Sequence, residues 1–99
     1  MRGFVLAVKA KADLKEIGRY TQTQWGREQR FKYIGQLYAC FEELAEKPTK
    51  GKDYSYVREG YFGQAVGSHL VFYRQTRTRI EIIRILHQSM DIEGRLTEP

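Results

Sequence analysis

The stretch Gly67–Asp91, GSHLVFYRQTRTRIEIIRILHQSMD, decides the fold of this chain. Within it, two runs dense in Val, Ile, Leu, Phe and Tyr, Ser68–Arg74 and Ile80–His87, flank the polar segment Gln75–Arg79. Runs of this composition joined by a short polar connection predict a β-hairpin.

The side chains of this hairpin alternate between two faces, because successive residues of a strand point to opposite sides of a sheet. Both faces of both strands carry large apolar residues, so both need covering. On the first strand, one face carries His69, Val71 and Tyr73 and the other carries Leu70, Phe72 and Arg74. On the second strand, one face carries Ile83 and Ile85 and the other carries Ile80, Ile82 and Leu86.

Two helices are predicted upstream of the hairpin. The first runs from about Ala10 to Gln24 and ends at Trp25-Gly26, and the second runs from about Arg27 to Glu46 before Pro48. The second has the clearest i, i+3, i+4, i+7 apolar pattern in the chain. With only a turn between them, the helices should form an antiparallel hairpin. Two short helices shield one side of a sheet, so the other apolar face is predicted to be bare and to bind another polypeptide.

The remaining segments complete an α+β architecture of order β-α-α-β-β-β in a single domain, residues 1–99. Phe4–Val8 is predicted to be a strand at the edge of the sheet, and Val57–Val66 a strand with a turn or bulge at its glycines. Together with the two strands of the hairpin, Val57–Val66 should form an antiparallel meander. Lys47–Tyr56 is predicted to be a loop, and 92–99 a short turn or frayed helix.

Composition indicates a soluble globular chain, with 41% hydrophobic and 29% charged residues among 99. No apolar run approaches a membrane span and no signal-peptide pattern is present, so we expect an unexported, cytoplasmic protein. The single cysteine, Cys40, fits a reducing compartment. A net charge of +5 favours an acidic partner or a nucleic acid. Part of that charge forms a basic stripe on the first helix, made of Lys11, Lys15 and Arg19.

Candidate chemistry is sparse. His69, His87 and Cys40 are the only His and Cys residues and are not clustered, so no metal site and no cofactor are expected. Ser68, His87 and Asp91 make a weak hydrolase triad on residue type alone. The main enzymatic alternative is metal-free RNA cleavage, which needs a base, an acid and cations for the phosphate. Strand parity opposes it, because Arg84 and His87 should point to opposite faces unless a bulge intervenes. The groups available for it are His87, Arg84, Arg58, Tyr73 and His69.

The chain resembles the ParE toxins of type II toxin–antitoxin modules, within the wider RelE/ParE superfamily. The likeness covers nearly the whole length and is most specific where GSHLVFY at 67–73 is followed by ILHQSMD at 85–91. Other matching segments are ADLKEIGRYTQTQWGREQ at 12–29, FEELAEKP at 41–48 and VREGYF at 57–62.

The resemblance implies a helical hairpin packed on a small antiparallel sheet and a toxin that poisons DNA gyrase by protein contact. It also implies a hetero-oligomer with a ParD-like antitoxin, whose disordered segment folds onto an exposed groove. Membrane contact and sequence-specific nucleic-acid binding are not expected. The RelE branch instead cuts ribosome-bound mRNA; this chain departs from that branch at Leu70, where RelE members commonly carry Arg, and at Gln88. An inert homodimerising or antitoxin-like scaffold is a further alternative.

Three sets of site residues follow. The apolar groove contacts are predicted to be Leu70, Phe72, Ile82 and Leu86. The charged contacts for an acidic antitoxin are predicted to be Arg58, Arg74 and Arg84, together with the basic stripe. The surface that contacts the toxin's target is predicted to include His87, Met90 and Asp91.

Overall fold

The structure is a computed structural model that describes residues 3–97. The first two residues of the chain and the last two of the predicted tail lie outside the described range. The elements in chain order are β1 Phe4–Leu6, α1 Val8–Trp25, α2 Arg27–Glu46, β2 Lys52–Asp53, β3 Tyr61–Val66, β4 His69–Gln75, β5 Ile80–His87 and α3 Ile92–Leu96. The α+β class and the predicted order are confirmed, with β2 as an addition; the segment after Asp91, predicted to be a short turn or frayed helix, forms α3.

The helical hairpin turns on one residue, Gly26, whose φ of 92° and ψ of 176° are confined almost entirely to glycine. The ψ differs from that of a left-handed helical cap. Across the turn, Arg30 donates to the Gln22 side chain. A Cβ at Gly18 would lie 2.9 Å from Arg30 Nε, so this mid-helix glycine lets the two helices pass closely.

The sheet has the order β1-β5-β4-β3-β2, and β3, β4 and β5 form the predicted antiparallel meander. The N-terminal strand lies at an edge as predicted, but it pairs with β5 in parallel, with Phe4 opposite Ile80. The sheet is therefore mixed and not wholly antiparallel. The strand predicted from Val57 begins only at Tyr61, and the predicted loop contributes the two-residue edge strand β2.

A bulge in β5 breaks the alternation that the sequence predicts. Phe72 pairs with Arg84 while Tyr73 pairs with Ile82, which leaves Ile83 as the extra residue. As a result Ile85 shares a face with Ile82, and not with Ile83 as strict parity requires.

The first core lies between the helices and the sheet. Its strand residues include Val71, Tyr73, Ile82 and Ile85, all buried. The helices cover them mainly with Ala10, Ile17, Leu37, Cys40, Phe41, Leu44 and Ala45. Burial raises the pKa of the Cys40 thiol to about 11, so Cys40 is a core residue with little thiolate at neutral pH.

The second core lies on the other face of the sheet and contradicts the prediction of a bare flank. Tyr61, Phe72, Leu86 and Leu96 are buried there. The cover comes from short elements that carry weak sequence signals, namely the segment before β3 and the helix α3. Around the buried residues pack Tyr54, Val57, Leu70, Ile83 and Ile92.

The helix α3 is held in place by its cap and by one anchor. The Asp91 side chain accepts a hydrogen bond from the Gly94 N–H at 3.2 Å, an interaction that contributes about 1 kcal/mol. Leu96 is buried against the sheet, and burying a leucine side chain contributes about 1.5–3 kcal/mol. A five-residue helix is therefore enough to seal this face. Neither it nor any other helix in residues 3–97 has the length and apolar character to cross a bilayer.

Candidate functional site

A cleft of about 660 Å³ lies between the tip of the helical hairpin and the ends of β4 and β5. We call it the aromatic cleft. Its lining residues are Glu16, Ile17, Tyr20, Thr21, Trp25, Gln29, Tyr33, Ser68, His69, His87, Ser89 and Met90.

The rim of the aromatic cleft is apolar and open to solvent. Trp25 is 65% exposed, Tyr20 59% and Met90 41%. The Tyr20 and Trp25 rings meet edge to face with centroids 6.0 Å apart. Trp, Tyr and Met are enriched in protein–protein contacts, and apolar residues grouped around one concavity mark such a contact. The rim therefore supplies the exposed apolar surface that the sheet does not.

The floor of the aromatic cleft is polar and centres on Tyr33. The Tyr33 hydroxyl lies 2.6 Å from His69 Nδ1 and 3.1 Å from the Val66 carbonyl oxygen. It also accepts a hydrogen bond from the Ser68 N–H at 3.3 Å. Tyr33 thus ties α2 to the β3–β4 turn and fixes the orientation of the His69 ring.

His87 lies beside His69, with ring centroids 5.3 Å apart. The Ser89 N–H donates to His87 Nδ1 at 3.1 Å, and Ser89 Oγ lies 2.7 Å from the same nitrogen. Because Nδ1 is an acceptor, neutral His87 carries its proton on Nε2. This arrangement provides a hydrogen-bond donor suited to a carbonyl or carboxylate of a bound partner.

Protonation of His69 is disfavoured in the folded state. Burial lowers the pKa of His69 below its ordinary value, and His87 lowers it further, while Asp13 acts in the opposite direction. The unfolded chain therefore binds a proton at His69 at a higher pH than the folded chain does. The stability that comes from keeping His69 neutral is present above the ordinary histidine pKa of about 6.5 and falls as pH drops below it.

We accordingly expect the melting temperature of the protein to fall between pH 7.5 and pH 5.5, and to fall less in the variant His69→Gln. Both proteins share every other titrating group, so the difference between their pH profiles isolates His69. Thermal unfolding followed by circular dichroism at several pH values measures it. If the melting temperatures of the two proteins change with pH in parallel, the pKa of His69 is the same in the folded and the unfolded state.

Three of the predicted groove residues are inaccessible. Ile82 is buried in the first core, and Phe72 and Leu86 are buried in the second. Leu70 is half-buried against the second core. The groove predicted on the sheet is therefore absent from the described surface, because the helices cover Ile82, while the segment before β3 and the helix α3 cover Phe72 and Leu86.

The predicted charged contacts are dispersed. Arg74 is exposed and pairs with Glu81 at 2.9 Å. The basic stripe is exposed as predicted, and its Arg19 pairs with Glu16 at 2.7 Å. Arg84 is instead buried and bonds to Asp13 on α1, with Nε–Oδ2 at 2.9 Å.

The predicted target contacts separate into two groups. His87 and Met90 both line the aromatic cleft, so the structure brings them together with Trp25 and Tyr20. Asp91 is exposed, and its carboxylate caps α3. The residues that sequence reasoning missed are Trp25, Tyr20 and Tyr33; a tryptophan at the end of an amphipathic helix, off its buried face, was the available signal.

A second pocket, of about 270 Å³, holds the arginines proposed for phosphate chemistry. We call it the basic pocket. Its lining residues are Ala7, Val8, Lys9, Arg58, Tyr61, Ile83, Arg84, Arg95 and Leu96.

The groups needed for RNA cleavage are not assembled in one place. Arg58 and Arg84 line the basic pocket, whereas the two histidines line the aromatic cleft, as parity predicted for Arg84 and His87. The Tyr73 hydroxyl is occupied by the Pro48 carbonyl and the Gly51 N–H, on the helix side of the sheet. The acid–base candidates and the phosphate-binding cations thus belong to different sites.

Comparison with known proteins gives concordant results. The family model for the ParE toxin of type II toxin–antitoxin system, parDE, matches residues 4–92. Toxin ParE1 of Caulobacter vibrioides is 45% identical over 96 residues, which is 97% of this chain and 99% of that protein. Toxin ParE1 of Mycobacterium tuberculosis is 35% identical over 94 residues, or 94% and 96% of the two chains. A solved structure of the chromosomal ParDE system from P. aeruginosa has a TM-score of 0.76 over 88% of this chain and 96% of that one; at 20% identity it shows the fold alone.

Proposed function

The chain belongs to the ParE toxin family of type II toxin–antitoxin systems, and from that premise we propose that it inhibits DNA gyrase by protein–protein contact and is neutralised by a ParD-like antitoxin. The observation that carries the proposal is the match of the family over residues 4–92, together with 45% identity to a named toxin along nearly its whole length. A gyrase inhibitor works where chromosomal DNA is, so a cytoplasmic location is part of the proposal.

The aromatic cleft is the surface that we assign to the antitoxin. Its rim exposes Trp25, Tyr20 and Met90, and its floor offers the His87 donor to a polar group. A disordered segment that folds on binding needs apolar anchors of this kind to offset the entropy lost on ordering. The basic stripe on α1, the helix that contributes Tyr20 and Trp25, suits acidic residues on such a segment.

Occupation of the aromatic cleft also explains neutralisation. His87 and Met90, two of the proposed target contacts, lie inside it. An antitoxin segment seated there would cover them and exclude gyrase. Antitoxin and target would then compete for one surface of the toxin without any change of fold.

Purified protein, gyrase, ATP and plasmid DNA test the proposal directly. We expect loss of supercoiling and accumulation of cleaved plasmid, and we expect both to be suppressed by the cognate ParD-like antitoxin. Cut mRNA in a translation extract, with gyrase activity unchanged, would support the ribonuclease alternative and overturn the proposal.

The variant His87→Ala separates the two activities further. A ribonuclease that uses His87 in proton transfer should lose about 10²–10⁴-fold in rate. A protein-binding inhibitor should lose only what one contact contributes, on the order of tenfold in affinity. Dose–response curves of both activities for this variant provide the comparison.

A further inference from the structure

The basic pocket collects cationic side chains from four separate elements. Lys9 comes from α1, Arg58 from the turn before β3, Arg84 from β5 and Arg95 from α3. Among the described residues that line it, none is acidic. Like charges brought together in one concavity raise the local positive potential and favour an anion.

Two of these cations are held in position by contacts within the fold. Arg84 is fixed by two hydrogen bonds to Asp13, at 2.9 and 3.0 Å, and the same carboxylate also accepts the Ile85 N–H. The Arg58 guanidinium lies over the Tyr61 ring, 5.8 Å from its centroid. Asp13 is therefore bound to β5 and offsets the charge of Arg84. The exposed arginines at the pocket are Arg58 and Arg95.

We infer that the basic pocket binds a phosphate of a nucleic-acid backbone, without reading sequence. Arginine presents a planar fork that matches two phosphate oxygens, and two exposed arginines at a small pocket suit a compact tetrahedral anion. The net charge of +5 supports association with a polyanion. A polypeptide partner is better served by the aromatic cleft, whose rim provides the exposed aromatic anchors that the basic pocket lacks.

This inference does not depend on gyrase being the target, because it concerns naked DNA. It gives the protein a second, independent surface, formed partly by residues of the second core such as Tyr61 and Leu96. In a complex of toxin, gyrase and DNA, that surface would contact the DNA backbone while the aromatic cleft contacts protein.

The test is binding of a fluorescein-labelled 20-base-pair duplex by the full chain, followed by anisotropy between 50 and 200 mM salt. The site variant is Arg58→Ala with Arg95→Ala. The matched control is Arg77→Ala with Arg79→Ala, which removes the same charge from the exposed β4–β5 turn, outside both pockets. All four side chains are exposed, and equal melting temperatures verify that both variants are folded.

We expect the site variant to bind on the order of tenfold more weakly at low salt, and the slope of log K against log salt to become shallower by about 1–2. The control should retain most of the affinity. Equal losses in the two variants would mean diffuse charge attraction and would overturn the assignment, as would unmeasurable binding by the unmodified chain. Binding of a poly-glutamate peptide that needs Arg58 and Arg95, with DNA binding unaffected, would assign the pocket to an acidic protein instead.

Discussion

Replacing Asp13 with alanine is expected to lower the free energy of unfolding by about 3–5 kcal/mol, because it removes the carboxylate that pairs with a largely buried guanidinium. The side chains of Asp13 and Arg84 are only 14% and 10% exposed. The carboxylate accepts two hydrogen bonds from Arg84 and a third from the Ile85 N–H. All three join α1 to β5 across more than seventy residues of sequence, so their loss loosens the packing of the helical hairpin on the sheet.

Urea denaturation monitored by circular dichroism measures this effect. The companion variants are Arg84→Met and the double variant with Asp13→Ala. Because the double variant removes the buried guanidinium together with its carboxylate partner, it should recover part of the loss, which a double-mutant cycle quantifies. A cost below about 1 kcal/mol for Asp13→Ala would show that water solvates Arg84 and that the ion pair contributes little.

Replacing Trp25 with alanine is expected to weaken binding of the antitoxin by about 2 kcal/mol or more, which corresponds to roughly thirtyfold in Kd. Trp25 is the largest exposed side chain of the aromatic cleft and packs edge to face on Tyr20. Tryptophan anchors at the centre of a contact bury a large apolar area with few rotatable bonds. Isothermal titration with the cognate antitoxin gives the affinity.

Phe31→Ala is the matched control for this measurement. Phe31 is exposed to a similar degree, 68% against 65% for Trp25, and lies on α2 outside the cleft. Neither truncation removes a buried side chain, so both variants should stay folded. If both weaken binding equally, the antitoxin covers a wider surface than the cleft, and if only Phe31→Ala weakens it, the cleft is the wrong surface.

The covered second face changes the physical reason for expecting a protein partner. Sequence patterning favoured a bare sheet flank, and Phe72 and Leu86 would have been its contacts. Those residues are sealed by Leu96 and its neighbours. Exposed apolar residues instead surround the aromatic cleft at the hairpin tip, where Trp25, Tyr20 and Met90 line one concavity. The aromatic cleft and membership of the ParE family are therefore the reasons to expect a protein partner.

The sequence by itself determined the order of the main elements, the bounds of α2 and β5, and the family. These are local properties, because helical and strand periodicity and short motifs are each contained within a window of a few to about twenty residues. The sequence also predicted correctly that Arg84 and His87 lie at different sites. The alternation of side chains between the faces of a strand depends only on neighbouring positions.

Only the tertiary structure decided which apolar residues reach solvent. The bulge at Ile83 moved Ile85 to the helix side, and α3, anchored by Leu96, closed the second face. The aromatic cleft unites α1 near Trp25 with the chain after β5 near Met90, positions 65 apart. Exposure depends on contacts between such distant segments, and those contacts carry no periodic signal in either segment alone.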